Sequence, residues 1–203
     1  HIGHSGKVLF MRIFLSVLIL IFSLNCWAKA DDISDFEIEG MSIGDSLLDH
    51  FSEKEIIEEK KDEYNYKNIF ATIGIRKNSF ENYDKVQFDY KLNDKTYKIY
   101  GITGMIYFKD NFKDCLDKKE EIILQLSASL KNIKRQDQEK THWADKSGDS
   151  KTYDTYFNFD SGDYIVVTCY DWSEKKNEEN RWYDNLKVGI ISKEFNEFLN
   201  KTY

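Results

Sequence analysis

Alternating apolar and polar residues predict an antiparallel hairpin in the first half of the chain. Between residues 85 and 92 the apolar side chains fall at every second position, which is the rhythm of a half-buried strand. Asn93 and Asp94 favour a turn, and residues 95–108 supply the returning strand. Residues 69–75 are predicted to add a third strand to the same sheet.

The second half of the chain shows a similar organisation. Residues 152–159 and 163–172 flank a turn sequence, Asp160-Ser161-Gly162, which predicts a second hairpin. Residues 185–191 have the apolar composition of a final strand. The mostly polar residues 136–150 are predicted to form a loop between the helical and strand segments.

Helical periodicity and capping residues predict four helices. Two short helices begin with pairs that resemble capping boxes, namely Ser42 with Asp45 and Ser52 with Glu55. Asp110 or Asn111 is expected to cap a longer helix with one apolar face, formed by Phe112, Cys115, Leu116, Ile122, Ile123, Leu126 and Leu130. The Lys119 stem is expected to extend along the edge of that face. Ser192 caps the closing helix, whose Phe195, Phe198 and Leu199 should dock on the sheet.

Together these elements predict an α+β fold in the order helix-helix-β-β-β-helix-β-β-β-helix. Strands with one apolar face need a covering layer, and the short connections within the two hairpins favour antiparallel pairing. We therefore expect an antiparallel sheet of about five to six strands with helices packed mainly on one face. Residues 31–203 suit a single mature domain of this kind.

The first thirty residues predict export from the cytoplasm. Residues 11–30 combine a basic start, an apolar stretch and a small-x-small pattern ending at Ala30, as a signal peptide does. Residues 1–10 are interpreted as an upstream extension outside the native protein. The expected location is therefore the periplasm or the exterior, with two alternatives: anchoring by an uncleaved N-terminal helix, or a lipid anchor on Cys26.

The charge balance argues against nucleic acid as a partner. The chain has 29 basic and 36 acidic residues, and removal of residues 1–30 takes away Lys7, Arg12 and Lys29, which leaves a net charge of about −10. Nucleic-acid-binding domains normally carry a basic stripe that neutralises phosphates. Contact with a membrane is expected only through an uncleaved signal segment.

Cys115 and Cys169 are predicted to form a disulfide bond. They are the two cysteines that remain after cleavage, in a compartment where disulfides persist. Cys115 lies on the apolar face of its predicted helix, and Cys169 shares a strand face with Ile165 and Val167. Both thiols should therefore point into one core, although a pair of buried free thiols is the alternative.

The tetrapeptide Gly44-Asp45-Ser46-Leu47 resembles the signature of the GDSL esterases and lipases. That resemblance implies Ser46 as an acylated nucleophile, which would need a histidine base. The two histidines after residue 30 are His50 and His142, and neither stands in the Asp-x-x-His pattern of the family. A Gly-x-Asn-Asp segment is also lacking. An ordinary helix-surface serine is therefore the competing interpretation of Ser46.

Two further resemblances concern exported proteins. Gly40-Met41-Ser42 with the following Leu47 and Leu48 resembles the helix opening of small lipoproteins that assist outer-membrane β-barrel assembly, which implies an accessory interaction module. The acidic, proline-free, tyrosine-rich chain with its Cys-Tyr-Asp-Trp segment at residues 169–172 resembles exported proteins of AT-rich marine bacteria. That second resemblance implies export and a disulfide, and no particular activity.

The sequence predicts no catalytic, cofactor-binding or metal-binding residues. Residues 145–149 have the polar density of a calcium loop but lack its alternating acidic spacing and final glutamate. No cysteine–histidine cluster has zinc spacing, and no glycine-rich phosphate loop is found. The expected site residues are therefore the disulfide cysteines alone.

Tyrosine and tryptophan are concentrated in the predicted strands. Most should line the sheet, but if helices cover one face only, the other face would present aromatic side chains to a partner. The sequence thus favours a non-enzymatic periplasmic binding or interaction module for an unknown protein or small molecule. The alternative is a GDSL-type ester hydrolase that uses Ser46.

Overall fold

The computed structural model describes residues 32–109, 111–130 and 133–202, and it contains an α+β fold built on one large antiparallel sheet. A small hairpin comes first, formed by β1 (Glu37–Ile38) and β2 (Met41–Ser42). The strands of the main sheet are β3 (Tyr64–Tyr66), β4 (Phe70–Ile75), β5 (Lys85–Lys91), β6 (Gly101–Tyr107), β7 (Lys134–Thr141), β8 (Lys151–Asn158), β9 (Tyr164–Asp171) and β10 (Asn185–Ile191). Their spatial order is β3-β4-β5-β6-β10-β9-β8-β7.

The helices are α1 (Glu53–Glu59), α2 (Phe112–Ser129), α3 (Glu174–Asn180) and α4 (Lys193–Thr202). The predicted caps of three of them are confirmed. Ser52 and Glu55 form a reciprocal capping box at α1, and the Asn111 side chain accepts a hydrogen bond from the Lys113 amide at α2. At α4 the Phe195 amide donates to Ser192 Oγ over 3.3 Å. The signal peptide predicted over residues 11–30 lies outside the described residues.

The predicted number of strands was wrong, because the main sheet has eight and not five to six. Both additional strands lie at the edges of the sheet. The strand β7 occupies part of the predicted loop, and its sequence, KRQDQEKT, is almost entirely exposed. Main-chain hydrogen bonds to β8 hold it in place, and these do not require apolar side chains. Periodicity of apolar residues therefore could not reveal it, and the short, mostly exposed β3 escaped prediction for the same reason.

Three boundaries also differ from the sequence prediction. The segment from Ser42 to Phe51 forms β2 and a 3-10 turn at Leu47–Asp49 instead of an α-helix. The pairing of Ser42 with Asp45 exists, since the Ser42 amide donates to Asp45 Oδ2 over 2.8 Å, but it closes a turn. The strand β6 begins only at Gly101, and α3 forms where no helix was predicted.

The sheet consists of two four-stranded halves joined in the middle. Strands β3 to β6 follow one another in space and lead into α2, while β7 to β10 do the same and lead into α4. The halves meet where β6 pairs with β10, with Gly104 opposite Val188. Each half thus places its last strand at the centre of the sheet and its first strand at an edge.

One face of this sheet, here called the closed face, forms the main hydrophobic core. Residues 33–57 cover it over β4 to β6, where Phe51 packs edge-to-face on Phe88 with ring centroids 5.5 Å apart. Helix α2 covers it over β9 and β10. The buried residues that α2 contributes are Cys115, Lys119, Ile122, Ile123 and Leu126.

Lys119 does not run along the helix edge as predicted, because it is almost fully buried. Its Nζ donates to Thr155 Oγ1 on β8 over 2.9 Å, and Thr155 Oγ1 donates to Asp137 Oδ1 on β7 over 2.7 Å. A buried ammonium needs such an acceptor to offset its lost hydration. This polar chain ties α2 to the two outer strands, where the apolar core ends.

The sulfur atoms of Cys115 and Cys169 lie at bonding distance, 2.02 Å apart, which agrees with the predicted disulfide. The bond joins α2 to β9, and both residues are fully buried. It closes a loop with a sequence separation of 54 residues. Helix α2 therefore cannot leave the closed face without opening this covalent link or unfolding the sheet.

We predict that reducing the disulfide lowers the free energy of unfolding by about 4 kcal/mol, because a long loop in the unfolded chain is released. Urea unfolding of the chain from residue 32 onwards, with and without a thiol reductant, measures this difference. The variant Cys115→Ala/Cys169→Ala is the control, since reductant should leave its midpoint unchanged. Equal stability of the parent protein in both conditions would contradict the prediction.

Candidate functional site

The second face of the sheet, here called the open face, carries a large pocket. Side chains alternate between the two faces along a strand. On β4, β5, β6, β9 and β10, every residue whose side chain does not point into the core therefore points to this face. The pocket has a volume of about 840 Å³. It is lined by Tyr64, Tyr66, Thr72, Gln87, Asp89, Thr103, Trp143, Val166, Thr168, Tyr170, Lys187, Ile191, Phe195 and Leu199.

The lining shows that the sheet is strongly curved, with the open face on its concave side. Tyr64 lies on the edge strand β3, and Trp143 follows the opposite edge strand β7. A flat sheet of eight strands would hold these edges about 30 Å apart, given the spacing of neighbouring strands. Both side chains nevertheless line one pocket, so the two edges approach each other over the open face.

Helix α4 closes one end of the pocket with apolar side chains. Phe195 packs against Phe70 on β4, with ring centroids 5.0 Å apart, and both belong to a small cluster of buried residues with Tyr100 and Ile191. Phe195 and Leu199 also face the pocket. This outcome agrees with the docking that was predicted for α4, but the helix lies on the face opposite α2. The prediction that helices pack mainly on one face therefore needs this amendment.

Asp89 is buried on the floor of the pocket, with 6% of its surface exposed. Its Oδ1 accepts a hydrogen bond from Thr72 Oγ1 on the neighbouring strand. Its Oδ2 lies above Gly101, and a Cβ atom at that glycine would stand only 2.2 Å from the oxygen. The glycine therefore makes the space in which a carboxylate can stay inside the sheet.

Burial raises the pKa of Asp89 to about 6, because the ionised carboxylate loses its hydration. The hydrogen bond from Thr72 and the positive charge of Lys187 act in the opposite direction and limit the rise. The side chain is therefore mostly ionised at pH 7 and neutral at pH 5. Such a buried carboxylate is a typical member of a functional site.

Lys187 is the cation of the pocket. It stands on β10 between the core residues Leu186 and Val188, so its side chain points to the open face. Its Nζ lies 4.6 Å from the centroid of the Tyr170 ring. Burial, with a contribution from Lys85, lowers the pKa of Lys187 to about 8, and the carboxylate of Asp89 partly opposes that shift. Its ammonium forms no hydrogen bond or ion pair with any residue that the structure describes.

A loop after β7 places Trp143 at the rim of the pocket. Trp143 is 86% exposed and stacks on His142, which in turn packs against Trp172 at a centroid distance of 4.4 Å. The loop is organised by Asp145, whose carboxylate accepts hydrogen bonds from the hydroxyls of Ser147, Ser150 and Ser173. These bonds hold the pKa of Asp145 well below its usual range.

The segment that was compared with a calcium loop is thus a turn held together by one carboxylate. Among the described residues, no group of three or more histidine, cysteine, aspartate or glutamate side chains is placed to hold a metal ion. Within residues 32–109, 111–130 and 133–202, no helix is long and apolar enough to cross a membrane.

Ser46 does not meet a histidine in this structure. Its side chain caps the 3-10 turn by accepting from the Leu48 amide over 3.1 Å, and it donates to the Thr96 carbonyl. His50 instead directs Nε2 toward Asp45 at 3.6 Å. In the described part of the chain the hydroxyl is therefore engaged in local structure and has no base beside it.

The predicted set of strand aromatics is divided between the two faces. Tyr90, Tyr97 and Tyr153 belong to the closed face, whereas Tyr170 lines the pocket. Tyr66 also lines the pocket, but it lies on the unpredicted strand β3 and was not in that set. Sequence reasoning missed Asp89 and Lys187 as site residues. The available signal was their charge at the centre of otherwise apolar strands, on the side opposite Phe88 and Val188.

We predict that ionisation of Asp89 costs the folded protein stability. Its pKa is higher in the folded state, at about 6, than the ordinary value of 3.8 that the unfolded chain has, so the folded state holds the proton more tightly. Below pH 4 the protonated side chain contributes about 3 kcal/mol to the free energy of unfolding. This contribution is lost as the pH rises through 6. Relative to Asp89→Asn, the parent should therefore lose most of that amount between pH 4 and pH 7.5.

Urea unfolding at the two pH values measures the change for each protein. The exposed carboxylate in the β8–β9 turn supplies a matched control, Asp160→Asn, which should follow the parent at both pH values. A constant difference between the parent and Asp89→Asn would show that the buried carboxylate does not titrate in this range.

Comparisons of the chain with protein-family models, with curated proteins and with solved structures found no match. Function is therefore assigned from the chemistry of the open face itself.

Proposed function

We propose that this protein is an exported, non-catalytic binding module whose open face takes up a small, largely apolar molecule. The pocket carries the proposal: a cavity of about 840 Å³ lies on a curved sheet, and its lining combines aromatic and aliphatic residues with a few buried polar groups. Pockets for small ligands in proteins typically measure roughly 300–1,000 Å³ and have this mixed lining.

The shape of the site favours a small molecule over a protein partner. Tyr66 and Tyr170, which could have formed a flat aromatic patch, line the walls of a concavity instead. Asp89 lies at the bottom, where only a group that enters the pocket can reach it. A protein surface would contact the rim at Trp143 and Tyr64, which are both well exposed, but would leave the floor empty.

The arrangement of the polar groups supports binding without catalysis. Thr72 is the hydrogen-bond partner of Asp89, and the Lys187 ammonium lies against a tyrosine ring. Asp89 and Lys187 influence each other by charge and do not form an ion pair, so they suit recognition of separate parts of a ligand.

The proposed location outside the cytoplasm is supported by the cysteine pair. A buried disulfide that links a helix to the central sheet forms and persists in an oxidising compartment. The predicted signal peptide would deliver the chain to such a compartment. A binding module there would meet small molecules that have crossed the outer boundary of the cell.

We predict that the purified chain from residue 32 onwards binds N-phenyl-1-naphthylamine, an apolar probe whose fluorescence rises in an apolar site. The substitution Val166→Trp should weaken this binding at least tenfold, because the indole would occupy the space next to Thr103 and Gly189. Fluorescence titration measures the affinity, and circular dichroism with thermal unfolding checks the fold.

The matched control is Leu124→Trp, which adds the same side chain to an exposed position on α2, where Leu124 is 70% exposed. This variant should bind the probe as the parent does. Equal affinity of the parent and a folded Val166→Trp protein would place the probe elsewhere and contradict the proposed site.

A further inference from the structure

The chemistry of the open face changes steadily along its strands. At the α4 end the face carries the apolar cluster of Phe70, Ile191 and Phe195, beside the ion pair of Lys91 with Glu194. At the other end, register places Lys85, Met105 and Lys187 in one row across β5, β6 and β10. The two lysines therefore flank a methionine at the end of the pocket that lies away from α4.

The end of the open face that carries Lys85 and Lys187 is here called the basic end, and a glycine there leaves room for the Lys85 side chain. The Lys85 side chain passes over Gly74, where a Cβ atom would stand 2.0 Å from Lys85 Cε. The Lys187 ammonium has a ring face as its neighbour and no carboxylate as an ion-pair partner among the described residues. A desolvated ammonium without a counter-ion is costly for the folded protein, and an anionic ligand group would remove that cost.

Further cations stand at the same end of the central strands. Arg76, Lys109 and Arg181 line a second concavity of about 640 Å³ beyond β4, β6 and α3. Two of these cations contact tyrosines of the concavity. Arg76 Nη2 donates to Tyr107 Oη over 3.1 Å, and Lys109 Nζ lies 5.2 Å from the Tyr183 ring centroid. Its one carboxylate, Asp84, accepts a hydrogen bond from the Tyr107 amide.

These cations stand at one end of the central strands, together with Asp84 and with the buried Asp154 in the row of Lys187, in a protein whose net charge is negative. A local concentration of positive charge within or beside a concavity attracts anions and orients them as they approach. Asp89 adds the opposite charge toward the apolar end, where it repels an anionic group. The electrostatic pattern therefore distinguishes the two ends of any charged ligand.

We propose that the ligand is an amphipathic anion, with its apolar body against α4 and the aromatic wall and its anionic group beside Lys187. This inference rests on the proposed function and adds the charge and the orientation of the ligand. At pH 7 the Lys187 amine, with a pKa of about 8, is mostly protonated and can pair with a carboxylate or phosphate group. Both head groups share the required chemistry of an oxygen anion on an apolar chain.

Displacement of N-phenyl-1-naphthylamine by a set of dodecyl compounds tests the proposal. The parent protein should bind dodecanoate or dodecyl phosphate at least tenfold more tightly than dodecan-1-ol, and dodecyltrimethylammonium should bind most weakly. Comparison of the carboxylate with the phosphate identifies the preferred head group. All concentrations are kept below the micellar range so that single molecules are measured.

Lys187→Met keeps an unbranched side chain that is one atom shorter and removes its charge. This variant should bind the anion and the alcohol within about twofold of each other, with each displacement referred to the variant's own affinity for N-phenyl-1-naphthylamine. Lys187→Arg should retain the preference for the anion, which separates loss of charge from damage to the fold. The exposed Lys95 supplies the control Lys95→Met, which should behave as the parent does.

The failure of this proposal differs from the failure of the proposed function. If the parent binds N-phenyl-1-naphthylamine but prefers the alcohol or the quaternary ammonium, the anionic ligand is wrong and the apolar site remains. An anion preference that survives in Lys187→Met also overturns the assignment to this lysine. If neither the probe nor any dodecyl compound binds, both proposals fail.

Discussion

The attachment of α2 to the closed face, locked by the bond between Cys115 and Cys169, is the interaction on which the rest of the structure depends. Helix α2 and residues 33–57, with Tyr83 over Gly104, supply the covering layer that the described residues form over the buried side of the sheet. Because this layer lies on one side, the other side of the same strands is left for a different use. The pocket is the consequence of that asymmetry.

Curvature turns the remaining face into a site. Two four-stranded halves meet at β6 and β10, and their outer edges approach each other over the open face. Glycines accommodate this geometry where the surface is most crowded: Gly101 admits the carboxylate of Asp89, and a Cβ atom at Gly189 would lie 3.1 Å from Val166 Cγ1. Helix α4 then closes one end. The cavity thus arises from backbone shape, small residues and one short helix together.

The two charged residues of the pocket illustrate a trade between stability and recognition. A charge in the middle of a strand costs free energy when its hydration is removed, and neither Asp89 nor Lys187 recovers that cost through an ion pair. Hydrophobic residues at these positions would make a more stable sheet. The presence of Lys187 is explained if a ligand supplies its missing partner, and Asp89 then serves to orient that ligand by repelling its anionic group.

The sequence by itself determined the closed face: the period of two in β5 and β9, the capped helices, the turn at Gly162 and the burial of both cysteines all follow from local patterns. Such patterns report only which side of an element is apolar. The polar edge strand β7, the side of the sheet that α4 covers and the meeting of Asp89 with Lys187 depend on main-chain pairing and curvature between distant segments. Only the tertiary structure decided these features, because hydrogen bonds between strands and the shape of a sheet leave no periodic signal in the side chains.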